Sequence, residues 1–217
     1  MRLFGFSFSP YVTKVRRCLE LKGLPYTYVE VPYLDRRELL ALTGGYVHVP
    51  VLEDGSTVVT DSARITAWLD EHYAPSLRAD PLAVLIEAWA ENVLEDVAFR
   101  IGCPLIESEL PRLFGGRDDA RALWRLFKER KFGPGCIEAW ARDADALNSR
   151  AAELLQPLAF KVLSQPFLLG TTPSLADVAV YGQLSFLELA SPRWVVDRAP
   201  GLTAWFRRVG EAPAVPS

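Results

Sequence analysis

The feature that most constrains this chain is a change of pattern near residue 74: strand and helix signals alternate before it, and only helical signals follow. Leu3 to Phe6 is a short apolar run. Val12, Val15 and Leu19 then recur at helical spacing between Lys14, Arg16 and Arg17. Gly23 and Pro25 end that helix. Tyr26 to Val31 is rich in β-branched and aromatic residues and reads as a second strand. Glu38 to Leu42 reads as a short helix closed by Gly44-Gly45. Val49-Pro50-Val51-Leu52 leads into the hairpin signal Asp54-Gly55, and Thr57 to Thr60 returns. A helix from Ser62 to His72 places Ile65, Trp68 and Leu69 on one face. The order β-α-β-α-β-β-α joins a parallel βαβ unit to a hairpin, which makes a mixed sheet covered by helices.

Ala74 to Pro81 carries two prolines and reads as a linker. Beyond it, Leu82 to about Leu113 follows one helical pattern, with a bend expected at Gly102-Cys103-Pro104 because proline removes a helix bond. Asp118 to Arg130 is amphipathic. Gly133-Pro134-Gly135 breaks the pattern, and one further long helix is expected over Ile137 to Leu163. Ser174-Leu175-Ala176-Asp177 has the form of a capping box, with Asp in place of Glu, and opens a helix apolar on more than one face. Pro200 to Val209 reads as the last helix. The expected organisation is an α/β domain over residues 1–73, a linker over 74–81 and an all-helical domain over 82–217.

A formal charge of −3 and a pI near 5.5 argue against nucleic acid or an anionic membrane surface as partner. No run approaches the roughly 18–20 apolar residues that span a bilayer. The first residues alternate like a strand without a small-residue cleavage site, so no signal peptide is expected. The three cysteines, Cys18, Cys103 and Cys136, are widely spaced without a C-x-x-C pair, which fits a reducing cytosol and neither zinc nor a disulfide framework. With only two histidines, His48 and His72, no metal centre is expected.

Three short segments carry the chemistry. Ser9-Pro10 lies where the first strand turns into the first helix. Serine followed by proline is ordinary capping, and the same geometry also lets a hydroxyl and a helix N-terminus stabilise an anion. Val49-Pro50 precedes a buried strand and is either a plain strand-start proline or a cis one. Asp61-Ser62, between the hairpin and the third helix, is open to the same capping reading.

In this order and at these distances, the three segments resemble glutathione S-transferases of the serine type. Val15 to Tyr26, Thr172-Pro173-Ser174-Leu175-Ala176-Asp177 and Pro200 to Trp205 extend the resemblance into both halves, nearest to tau-like and related bacterial members. The resemblance implies a thioredoxin-like N-terminal domain and an all-α C-terminal domain in a cytoplasmic homodimer serving detoxification, with glutathione as co-substrate and no metal. It implies that Ser9 holds the glutathione thiolate and that the backbone of Val49, before a cis Pro50, pairs with the cysteinyl part. It also implies that Asp61 meets the γ-glutamyl ammonium and Ser62 its carboxylate.

The chain departs from the family where relatives carry Asn-Pro and, two residues before the cis-proline, a lysine; here stand Thr43-Gly44-Gly45 and His48. His48 is a candidate donor to the glycine carboxylate of glutathione, or a solvent-facing loop histidine. Arg36 and Arg37 are further candidates for that carboxylate, with a solvated charged face as the favoured reading. Cysteine is absent at position 9, which counts against mixed-disulfide chemistry, and Cys18 is read as packed. Tyr11, Trp89, Asn92, Val93, Asp96 and Arg100 are candidates to line the second pocket, because several share a helical face. The expected function is conjugation of glutathione to a small apolar electrophile. Glutathione-dependent isomerisation or dehalogenation is the alternative, as is a binding module without turnover.

Overall fold

A computed structural model describes residues 1–107, 109–114 and 116–215. The α/β half contains β1 (Arg2–Gly5), α1 (Pro10–Leu21), β2 (Thr27–Glu30), α2 (Arg37–Thr43), β3 (Val51–Asp54), β4 (Thr57–Thr60) and α3 (Ser62–His72). The sheet order is β2-β1-β3-β4, with β1 parallel to β2 and antiparallel to β3, and β3 paired to β4 as a hairpin. Alternation along β1 buries both faces. Leu3 lies opposite Leu52 and packs with Val15, Leu19, Ile65 and Leu69 from α1 and α3, whereas Phe4 lies opposite Val51 and packs toward Leu39 of α2. This is the expected thioredoxin-like βαβαββα layer.

The helical half contains α4 (Pro81–Trp89), a π-helical segment (Ala90–Leu94), α5 (Glu95–Ile106), α6 (Leu110–Leu113), α7 (Asp118–Phe132), α8 (Cys136–Arg142), α9 (Ala144–Lys161), α10 (Leu175–Ala190), α11 (Trp194–Arg198), a 3-10 turn (Pro200–Leu202) and α12 (Thr203–Glu211). Among the described residues no helix is long and apolar enough to cross a membrane.

Three expectations change here. The pattern from Leu82 does not run to Leu113: α5 ends at Ile106, and the irregularity falls at Ala90–Leu94 rather than at Gly102-Cys103-Pro104. Gly102 serves packing, since a Cβ there would stand 2.3 Å from the Phe186 ring. The single helix expected over Ile137–Leu163 is two, parted at Asp143, because Ile137 and Trp140 pack in one core cluster and Ala151 and Leu155 in another. The helix α11 was not anticipated from the sequence. Its first turn is fixed by Glu188, which accepts from the Arg193 and Val195 N–H groups at 3.0 and 2.5 Å.

The capping box at Ser174 is present, and Asp177 does more than close it. Its buried carboxylate accepts from Ser174 N–H at 2.9 Å, Leu168 N–H at 2.8 Å and the Trp205 indole at 2.8 Å, tying α10 to the chain before it and to α12. The two halves meet along α1 and α10. Gly182 is required there, because a Cβ would approach the Pro10 carbonyl oxygen to 2.6 Å.

The segment between α3 and α4 is pinned. Asp70 accepts from Leu77 N–H at 2.8 Å, Arg78 N–H at 3.2 Å and the Ser76 hydroxyl, and pairs with the buried Lys22 ammonium at 2.9 Å. Burial opposes ionisation of Asp70, but these donors more than offset it and hold the carboxyl below its ordinary value. A depressed value in the folded state means that this stabilisation is present at neutral pH and is lost as pH falls through the folded value. Asp70→Asn is therefore expected to cost about 2 kcal/mol at pH 7. The gap to wild type should narrow below the ordinary carboxylate range, as denaturant melts at both pH values would show; a gap independent of pH contradicts it.

Candidate functional site

Two adjoining cavities open in the cleft between the halves, and Tyr11, His48 and Val49 line both. One, of about 450 Å³, is walled mainly by aromatic rings; the other, of about 360 Å³, is more polar.

Ser9 is buried in the lining of the aromatic cavity and caps α1. Its Oγ accepts from the Val12 N–H at a long 3.4 Å, and Pro10 occupies the first helical position, where no N–H is needed. Accepting uses a lone pair of the hydroxyl oxygen and leaves its proton to donate. Both readings of Ser9 are thus compatible in one geometry. The peptide bond between Val49 and Pro50 is cis. The β1–β3 ladder begins at Val51, so the Val49 backbone lies just outside it, at the junction of the cavities.

The polar cavity is floored by the start of α3. Asp61 caps that helix, accepting from Ala63 and Arg64 N–H at 3.0 and 3.2 Å, and does so at a φ of 75°. A non-glycine residue held there costs roughly 1–3 kcal/mol and persists where its surroundings over-determine it. The buried Ser62 hydroxyl donates to Glu91 at 3.0 Å. Glu91 and Glu87 both pair with the buried Lys14 ammonium, the latter at 2.8 Å, and Thr66 donates to Glu87 at 3.1 Å. Glu91 therefore adds a second carboxylate beside Asp61 in the cavity, which the sequence reading missed. The signal available was the i, i+4 pair Glu87 and Glu91 in an otherwise apolar helix.

In the aromatic cavity, Phe8 stacks on Phe6 with ring centres 5.4 Å apart, and Tyr33, Phe99, Trp124 and Phe127 complete the walls. Burial and the neighbouring Glu95 carboxylate push the Tyr11 hydroxyl well above its ordinary value. Burial also raises Glu95, against the opposing effects of the Tyr11 hydrogen bond and the Lys131 and Lys128 charges. Lys128 and Lys131 of α7 reach the same cavity.

Ser9, Tyr11, His48 and Val49 line the aromatic cavity, and Pro50, Asp61, Ser62 and Asn92 line the polar one with Tyr11, His48 and Val49. Trp89 and Asp96 do not line either cavity. Trp89 packs against the main core, Asp96 pairs with Arg100 at 2.9 Å, and Val93 is exposed. Glu95, Phe99 and Cys103 of α5 face the aromatic cavity instead, which leaves the neighbouring Asp96 and Arg100 turned away from it.

Arg36 and Arg37 do not form one solvated face. The Arg36 guanidinium is half-buried, donates to the Val47 carbonyl at 2.7 Å and lies over the Phe6 and Tyr33 rings, whereas Arg37 is exposed and paired with Asp35. No group of His, Cys, Asp or Glu fit to hold a metal ion occurs among the described residues. Cys18 is packed as expected, and burial pushes its thiol up to about 12 and that of Cys103 up to about 11.

A family model described as "Glutathione S-transferase, N-terminal domain" matches residues 3–77, and one described as "Glutathione S-transferase, C-terminal domain" matches residues 85–208. The chain belongs to the glutathione S-transferase family. Among its relatives, Glutathione S-transferase U2 of Arabidopsis thaliana is 32% identical over 50% of each chain. The probable glutathione S-transferase GSTU6 of Oryza sativa subsp. japonica is 29% identical over 96% of this chain and 83% of its own. A maleylpyruvate isomerase of Ralstonia sp is 28% identical over 92% of this chain and 86% of its own. The fold of this glutathione S-transferase matches that of a glutathione S-transferase from Rhodospirillum rubrum F11 with a TM-score of 0.71 and 23% identity, over 98% and 88% of the two chains.

Proposed function

We propose that this glutathione S-transferase conjugates the glutathione thiolate to a small apolar electrophile. The observation that carries the reading is the position of Ser9: a hydroxyl with a proton to donate, at the N-terminus of α1, where the aromatic cavity adjoins the polar one. A free thiol ionises near ~8.5, so a donor and a helix terminus that favour the anion raise the fraction of nucleophile at neutral pH. The cysteinyl backbone pairs with Val49 beside the cis Pro50. Asp61, with Glu91, receives the γ-glutamyl ammonium, and its carboxylate meets the start of α3 through the Ser62 backbone N–H, with the Ser62 hydroxyl turning from Glu91 to donate to it. His48 donates to the glycine carboxylate. The thiolate attacks an electrophilic carbon held in the aromatic cavity, a C–S bond forms, and the leaving group departs with its electron pair. Residues 1–73 serve as the glutathione-binding unit, 74–81 as the linker and 82–217 as the helical unit that shapes the second pocket. A cytoplasmic homodimer serving detoxification completes the proposal, with the exposed Leu82, Val84 and Leu85 of α4 available for a second copy.

Isomerisation is the second reading. It is favoured by the similarity to a maleylpyruvate isomerase and by the half-buried Tyr11–Glu95 pair, a proton donor and acceptor in the same cavity as Ser9. Retention on immobilised glutathione, followed by mass analysis of an electrophile panel, separates the possibilities. Glutathione consumed one-for-one into a thioether supports conjugation, and glutathione regenerated supports isomerisation. Retention without turnover leaves a binding module. Failure to bind glutathione overturns all three.

A further inference from the structure

The helix α7 sends two lysines into the aromatic cavity, and among the described residues neither forms an ion pair, Glu95 acting on both only at a distance. The nearby acids of α7 are already committed, Asp119 to Arg117 and Glu129 to Arg125, and the ion pairs among the described residues leave out Lys128 and Lys131. The Lys128 ammonium lies 4.2 Å from the centre of the Phe99 ring and 5.6 Å from that of Trp124, so its nearest company is π-electron density. Burial holds it below its ordinary value. Glu95 is the one carboxylate among the described residues of the cavity lining, and Tyr11 donates to it. Against it stand Arg36, Lys128 and Lys131, so the cavity is cationic although the chain as a whole carries −3.

A half-buried ammonium that no carboxylate contacts is costly, and a ligand carboxylate that reaches it forms a charge-assisted hydrogen bond in a setting of reduced screening. We propose that the second substrate is an aromatic electrophile bearing a carboxylate, with Lys128 as the residue that selects it. The ring packs among Phe8, Phe99 and Trp124, its electrophilic carbon faces Ser9 from the α/β half, and its carboxylate reaches Lys128 on the helical half. This rests on the glutathione-transferase reading for the chemistry and on the cavity alone for the specificity.

The test compares 4-chloro-3-nitrobenzoate with 4-chloro-3-nitrobenzamide. In both, the thiolate forms a C–S bond at the chlorinated carbon and chloride leaves with the bonding electrons; only the charge at the far side of the ring differs. Lys128→Met keeps the length of the side chain without the charge. It is expected to raise KM for the benzoate about tenfold more than for the benzamide, the size of one charge-assisted hydrogen bond, and Lys128→Arg is expected to restore most of the difference. Equal effects on both substrates would overturn the proposal and assign Lys128 to the thiolate or to packing. Binding of unreactive 3-nitrobenzoate and 3-nitrobenzamide, followed by tryptophan quenching without glutathione, tests specificity apart from chemistry. A Lys128-dependent preference for the benzoate without turnover keeps the proposed ligand and removes the transferase reading. Turnover with no such preference does the reverse.

Discussion

Ser9→Ala is expected to lower kcat/KM for glutathione conjugation by roughly 10- to 100-fold, within the range for removing a hydrogen-bond donor from a developing or stabilised anion. The physical content is a thiol pKa: each unit by which the site lowers it is worth about 1.4 kcal/mol. The absorbance of bound glutathione thiolate, titrated against pH, should therefore move upward by one to two units (~1–2 units) in the variant. Alanine also removes the cap on α1, which costs about 1 kcal/mol. The Ser9–Val12 contact is long at 3.4 Å, so the lower part of the capping range applies. Ser9→Gly separates the two effects, because glycine at a cap position is only a few tenths of a kcal/mol (~0.3) worse than serine and has no hydroxyl. Stability near wild type with the full loss of rate is the expected outcome for glycine. Unchanged conjugation in both variants would remove Ser9 from the mechanism and leave it a cap.

Lys14→Met should destabilise the fold by about 3–5 kcal/mol, the cost of leaving buried charge without its partner. Lys14 is 1% exposed and Glu87 3%, and the same ammonium also holds Glu91. Methionine matches the length of lysine, so lost packing contributes little. Adding Glu87→Gln to the lysine variant should recover part of the loss, the non-additivity expected of residues that share one network. The function should suffer as well, since Glu91 accepts from Ser62 and lines the polar cavity. Denaturant midpoints and glutathione titration calorimetry would measure both. A loss below about 1 kcal/mol, the value for exposed pairs, would mean that water reaches the network.

Much of the α/β half was legible because its signals are local. The Asp54-Gly55 turn, the Gly23 and Gly44 stops and the caps at Ser9 and Asp61 each act over three or four residues, and α3 runs from Ser62 to His72 as the spacing implied. The helical half was less legible because its apolar positions serve two core clusters at once. A stripe continuous in sequence there can be divided between clusters in space, as at Asp143, where the chain leaves one cluster for another.

The candidate site divides along the same line. By itself the sequence determined which residues sit at helix starts beside the cleft, Ser9 and the Asp61-Ser62 pair, because capping is read from neighbours in the chain. Only the tertiary structure decided the partners of those residues. Lys14 meets Glu87 across 73 positions, and Ser62 meets Glu91 across 29. It likewise decided which side of α5 faces the aromatic cavity. Glu95, Phe99 and Cys103 form a stripe one residue from Asp96 and Arg100, and which of two adjoining stripes meets the cavity is set by the helices α8, α9 and α10 packed around α5. The two α7 lysines of the cavity, outside every ion pair among the described residues, became visible for the same reason: whether a charge is paired depends on what the fold brings opposite it.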